Sequence, residues 1–178
     1  MTMDMGIMKT ISIAVKWVAF ILMMIGVGFV SFFTKEYSDE LSKGNPKPDP
    51  YDLGQLGRYE FYLCTVIIGL VIEHIGFVCV LRGYLLKKHS AMCMAVVQAL
   101  WALQLMISTA LLARVLTTYQ KEISPGQSYC DYWDELPERK YKYTCTQLTI
   151  GVVCGFLAMA TFAVDSIIST IFVLKSEN

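Results

Sequence analysis

Four long apolar runs alternate with polar segments along this chain, and that alternation sets the frame for everything else. The runs cover about residues 11–33, 61–81, 91–114 and 147–174. A bilayer hydrocarbon core about 30 Å thick needs about 20 mostly apolar residues in a helix that crosses it. Each run meets that length, and none shows the charged face that a water-soluble helix of this size would carry. The predicted fold is all-α: one four-helix antiparallel transmembrane bundle over residues 1–178, with both termini cytoplasmic.

The side assignment rests on Arg82 to His89, RGYLLKKH. This short segment is basic and holds no acid, and short basic loops stay in the cytoplasm. Lys9 and Lys16 before the first run and Lys175 after the last agree with it. The first run resembles a signal peptide only in following lysines. From Trp17 to Phe33 it exceeds a typical apolar core of about 7–15 residues, and no A-x-A site closes it, so a retained signal-anchor helix is expected. Tyr59 and Tyr62 suit the outer membrane interface and Tyr84 the inner one. Arg114 is expected to snorkel from the end of the third helix.

Residues 34–60 and 115–146 become the outer loops. The first carries Pro46, Pro48 and Pro50 and more acids than bases, and reads as extended, mobile and solvated. All five prolines of the chain fall in these two loops, as helix hydrogen bonding requires. With 17% charged residues and a mean hydropathy of +0.50, too little polar sequence remains for a separate soluble domain.

Six cysteines divide by position. Cys130 and Cys145 share the second outer loop, on the oxidising side, and are expected to pair; closing about 16 residues contributes about 3 kcal/mol on chain-entropy grounds. Two free thiols or metal ligands are the alternative, but no histidine accompanies them. Cys64, Cys79 and Cys154 read as small buried apolar residues. Cys93 falls near the inner membrane surface, where S-palmitoylation can act.

Within the apolar runs stand Lys16, Glu73, His74, Gln98 and Asp165. Lys16, Glu73 and Asp165 each lie about 8–14 Å from the cytoplasmic end of their helix, at about 1.5 Å per residue. A lone acid in mid-bilayer costs about 3 kcal/mol, so each should face a partner or a cavity. Small residues share their faces: Gly69 and Gly76 with Glu73; Gly151, Cys154, Ala158, Thr161 and Ser169 with Asp165; Ala91, Ala95, Ala102 and Thr109 with Gln98. Such faces pack helices in lipid, and Gly151 and Gly155 form a GxxxG pair. The structural reading pairs Lys16 with one acid and leaves the other protonated or bonded to His74, Gln98 or Thr161. The functional reading is a proton or cation path. Gly26 and Gly28 are read as merely tolerated.

No HExxH, CxxC-type, GxSxG or Walker pattern occurs, so no catalytic residue, metal site or cofactor is assigned and the chain is not expected to be an enzyme. Nor is a nucleic-acid partner expected. The first outer loop lacks the cysteines of claudins, and the second lacks the CCG of tetraspanins; connexin cysteine triplets are absent from both. In its short cytoplasmic hairpin, inside termini and outer-loop Cys130/Cys145 pair, the chain resembles the MARVEL-domain group, occludin-type members included. The ending FLAMATFAVDSIISTIFVLK, Phe156 to Lys175, is similar to that group's fourth span, and Lys16 fills the place of its first-span basic residue. The acid some members carry in the third span is missing here; the acids are Glu73 and Asp165.

The resemblance implies a non-enzymatic membrane organiser in cell junctions, membrane apposition or vesicle traffic. It would reside in the plasma membrane or secretory-pathway vesicles, with the bilayer and other membrane proteins or itself as partners. A small ion or proton channel or transporter subunit using Glu73, His74 and Asp165 is the second expectation, and an accessory subunit of a larger membrane complex the third.

Overall fold

The structure is a computed structural model and describes residues 5–43, 56–84, 87–124, 126–134 and 142–175. Four long helices dominate: α1 (Met5–Lys43), α2 (Leu56–Leu81), α3 (Lys88–Tyr119) and α5 (Cys145–Lys175). Each is long and apolar enough to cross a membrane. Between α3 and α5 lie β1 (Glu122–Ser124), β2 (Gln127–Ser128) and the short α4 (Tyr129–Asp134). The two strands pair antiparallel, and Gly126 takes φ +87° in their turn.

The helices outrun their apolar cores. α1 has 39 residues, or about 58 Å at 1.5 Å per residue, against a hydrocarbon slab of about 30 Å. The expectation of an extended, solvated loop from residue 34 is corrected here: residues 34–43 are helical. TKEYSDELSK contains no Gly or Pro to stop the helix, and Glu, Lys and Leu favour its continuation. Tyr37 and Leu41 follow Phe33 at four-residue spacing and pack against the core. The Pro46, Pro48 and Pro50 stretch lies outside the described residues. At the other end of the bundle α2 stops sharply. Gly83 adopts φ +72°, a conformation that glycine takes without steric cost, and its N–H reaches Val80 O at 3.1 Å.

α5 lies against both α3 and α1, and α2 also touches both, so the helices form a ring in the order α1, α2, α3, α5. Neighbours in the ring run antiparallel: Met23 meets Gly69 while Lys16 meets Gly76, and Val30 and Leu112 meet Gly151 while Lys16 and Gln98 meet Asp165. The inward faces carry the core, including Ala19, Met23, Val66, Leu105, Ala158 and Phe162. The outward faces carry Ile21, Ile67, Val71, Ile107 and Ile167, all exposed. Apolar surface on this scale is foreign to a water-soluble monomer and suits hydrocarbon.

Glycines set how closely the helices approach. A Cβ on Gly155 would stand 2.5 Å from Thr109 Oγ1 and 3.1 Å from Tyr62 Cε2, and one on Gly151 would collide with Val30. Gly69 receives Trp101 and Met23, and Gly76 receives Lys16 and Met94. Gly26 departs from the bland expectation, since the Tyr62 hydroxyl sits 2.7 Å from where its Cβ would be. Gly28 has open space. Gly155→Ala is therefore expected to destabilise the protein by about 1–3 kcal/mol through overpacking. Gly28→Ala should be neutral or slightly stabilising. Thermal unfolding in detergent compares them, and equal midpoints for the two variants would refute the close-packing role of Gly155.

Candidate functional site

Asp165 is the centre of the buried chemistry. It is 0% exposed, and three side chains donate to its carboxylate. Lys16 Nζ and Gln98 Nε2 both donate to Oδ2, while Ser12 Oγ donates to Oδ1 at 3.0 Å. Ser169 Oγ donates to Gln98 Oε1 at 3.0 Å, so the amide is held from both ends. Lys16 Nζ also lies 3.5 Å from Glu73 Oε2. All four long helices contribute: Ser12 and Lys16 from α1, Glu73 from α2, Gln98 from α3, Asp165 and Ser169 from α5. Two of these pairs are four residues apart, one turn along a single helix face.

Lys16 and Gln98 both crowd the Asp165 carboxylate, and Glu73 is left at the edge. The network contains one ammonium and two carboxyl groups. Among the described residues, Glu73 Oε1 is buried with no hydrogen-bond partner. Removing one member of a buried ion pair costs about 3–5 kcal/mol, because the other charge is stranded. What the arrangement does chemically is lock four helices into one rotational register.

Not every sequence-predicted polar residue joins. His74 is exposed on the outer face of α2, so it does not bond to either acid. Thr161 donates to its own helix, at Ala158 O, 2.7 Å away. Cys64 is exposed, Cys79 half-buried and Cys154 buried, so only the last fits the expectation for all three. Cys93 is exposed near the start of α3. Arg114 is exposed but sits more than a turn before the end of α3. Among the described residues, no group of three or more His, Cys, Asp or Glu is placed to hold a metal ion.

The opposite end of the bundle is closed by a second construction. Cys130 in α4 and Cys145 at the start of α5 form a disulfide, with Cα atoms 5.4 Å apart. Asp134 Oδ1 accepts the Cys145 N–H at 3.2 Å, tying the same two elements again. Beneath them lies a cluster of aromatic rings. Trp133 stands 5.0 Å from Tyr119 and 5.1 Å from Tyr143 between centroids, and Phe33 stands 5.7 Å from Tyr59. Such edge-to-face pairs contribute about 0.5–1.5 kcal/mol each beyond area burial. Tyr59 and Tyr62 are fully buried, which corrects their assignment to the membrane interface. Their hydroxyls find partners inside: Tyr62 donates to Gly151 O at 2.9 Å, and Tyr59 to the Tyr119 hydroxyl at 3.1 Å.

A capping box starts α4. The Asp131 N–H donates to Ser128 Oγ at 3.1 Å, while Asp131 Oδ2 accepts from the Ser128 N–H at 2.9 Å and from its hydroxyl at 2.6 Å. These hydrogen bonds hold the Asp131 carboxyl below the usual carboxylate range. Its contribution is present above the unfolded-state value and is lost as pH falls through the folded one. The box is legible as Ser128-x-x-Asp131 ahead of a helix. Ser12 goes unread in the sequence, and Ser169 is read there only as a small residue on the face of Asp165, although each lies four residues from a buried charge.

Comparisons with protein-family models, with curated proteins and with solved structures found no match.

Proposed function

We propose that this chain is a non-enzymatic, multi-pass membrane protein that organises membranes through its outer cap and its lateral faces. In this reading the termini and the Arg82–His89 turn face the cytoplasm, where Arg82, Lys87 and Lys88 concentrate, and the disulfide cap faces outward. Cell junctions, membrane apposition and vesicle traffic are the settings that need such a part. The observation that carries the proposal is the saturation of Asp165. Its carboxylate is fully buried and holds donors from α1 and α3. Such a centre serves as a structural pin, and the surfaces left for function are the cap and the lipid-facing helices.

Proteoliposomes test the proposal. Vesicles bearing the protein with its cap outward are expected to cluster with one another, and not with protein-free vesicles. Reduction of the disulfide should diminish clustering. Protein-bearing vesicles that stay apart, with no cross-linked partner recovered from native membranes, would sink the proposal.

A second reading, a proton or cation path, draws on Glu73, which stands beside Lys16 with one oxygen unpartnered among the described residues. It requires flux across the same liposomes that Asp165→Asn abolishes while the folded yield stays normal.

A further inference from the structure

Between α1 and α2 lies a cavity of about 160 Å³, lined by Lys16, Trp17, Phe20, Glu73, His74 and Phe77. A dry engineered cavity of about 150 Å³ in another protein holds benzene, so this volume admits a small head group with its first carbons. Trp17 is 52% exposed and His74 is also exposed, which puts the mouth on the outer apolar surface rather than at either polar end. Trp17 and Phe77 meet edge-to-face at 5.8 Å, and Trp17 and Phe20 at 6.1 Å. An aromatic wall thus faces the floor of the cavity.

That floor is a carboxyl group short of partners. Glu73 is 2% exposed, and its Oε1 accepts no hydrogen bond among the described residues. A buried carboxyl oxygen left unpaired is costly. The charge count points the same way. Lys16 is committed to Asp165 and stands 3.5 Å from Glu73 Oε2, so one ammonium serves two carboxyl groups. A cation with several N–H donors would meet both deficits, and aromatic faces attract cations. The walls offer too few oxygen ligands for a metal ion.

We infer that this cavity is a lateral binding site for a membrane-dissolved amphiphile with a primary amine head, the ammonium donating to Glu73 Oε1 beside Trp17, Phe20 and Phe77 and the alkyl tail leaving between α1 and α2. Nothing in the membrane-organising role requires this site.

The full chain in phosphatidylcholine nanodiscs, photolabelled with a diazirine-bearing dodecylamine, provides the test. Labelling is expected to saturate, to map to the peptides holding Lys16 to Phe20 and Glu73 to Phe77, and to be competed by plain dodecylamine. Glu73→Gln should weaken it about ten-fold or more, the worth of one hydrogen bond to a charged group. Trp17→Leu, which lies on the exposed wall and leaves the ion network intact, should weaken it several-fold and serves if the Glu73 variant fails to fold. The matched diazirine dodecanol should label this site far less. Labelling spread evenly over the four long helices, equal labelling by amine and alcohol, or unchanged affinity in a folded Glu73→Gln or Trp17→Leu protein would each overturn the assignment.

Discussion

Asp165→Ala is expected to remove most of the monodisperse protein recovered in detergent, while Asp165→Asn retains a substantial part. The carboxylate accepts from Lys16, Gln98 and Ser12 and is itself fully buried. Alanine leaves Gln98 and Ser12 without that acceptor and the Lys16 ammonium with only the longer 3.5 Å contact to Glu73 Oε2. Stranding a buried charge costs about 3–5 kcal/mol, a large share of a typical total stability of about 5–15 kcal/mol. Asparagine keeps an acceptor for two of those donors and loses chiefly the ionic part. Lys16→Met should also be disruptive, because it leaves two carboxyl groups buried together with no cation.

Coupling separates this account from a general intolerance of the position. Lys16→Met combined with Asp165→Asn removes both charges of the close pair, so the double variant should cost less than the two single changes added together. Additive losses would argue against direct pairing. Wild-type recovery from every one of these variants would remove the structural role of the network altogether.

Loss of the Cys130–Cys145 disulfide is expected to have the next-largest effect, about 3 kcal/mol from the loop it closes. The bond joins α4 to the first residue of α5, and α4 carries Trp133 onto Tyr119 and Tyr143. Without the bond, α4 retains its capping box and the Asp134 contact to the Cys145 N–H, so a loosened cap rather than a lost one is expected. Cys130→Ser and Cys145→Ser should lower the unfolding midpoint by a similar amount, and the reductant-treated wild type should match them. Tryptophan emission should shift to the red as Trp133 becomes wetter. A wild-type midpoint indifferent to reductant, with both thiols open to alkylation before treatment, would refute the bond.

Much of the architecture can be read along the chain because hydropathy and helix breaking are local properties. The apolar runs locate four helices of spanning length. Proline confined to two segments marks where the long helices do not go. Cys130 and Cys145 stand out because they alone lie outside the runs. The boundaries were less legible: nothing in a hydropathy profile says that Thr34 to Lys43 stays helical, since that depends on Tyr37 and Leu41 finding a partner surface.

Sequence alone determined the number of long helices, their alternating order and the small-residue faces of Gly69, Gly76, Gly151 and Gly155, since run length, the alternation of apolar and polar segments and residue size are carried by the string itself. Only the tertiary structure decided which carboxyl Lys16 holds closely, that Tyr59 and Tyr62 turn inward, and that His74 turns out. The physical reason is that these helices are apolar on every side. In a water-soluble helix a polar face announces which side is outside, but here the inward and outward faces differ by a few atoms. Rotation about each helix axis is then settled by where Asp165 meets Lys16, Gln98 and Ser12 and where Lys16 meets Glu73, a choice made among four helices at once and written in none of them separately.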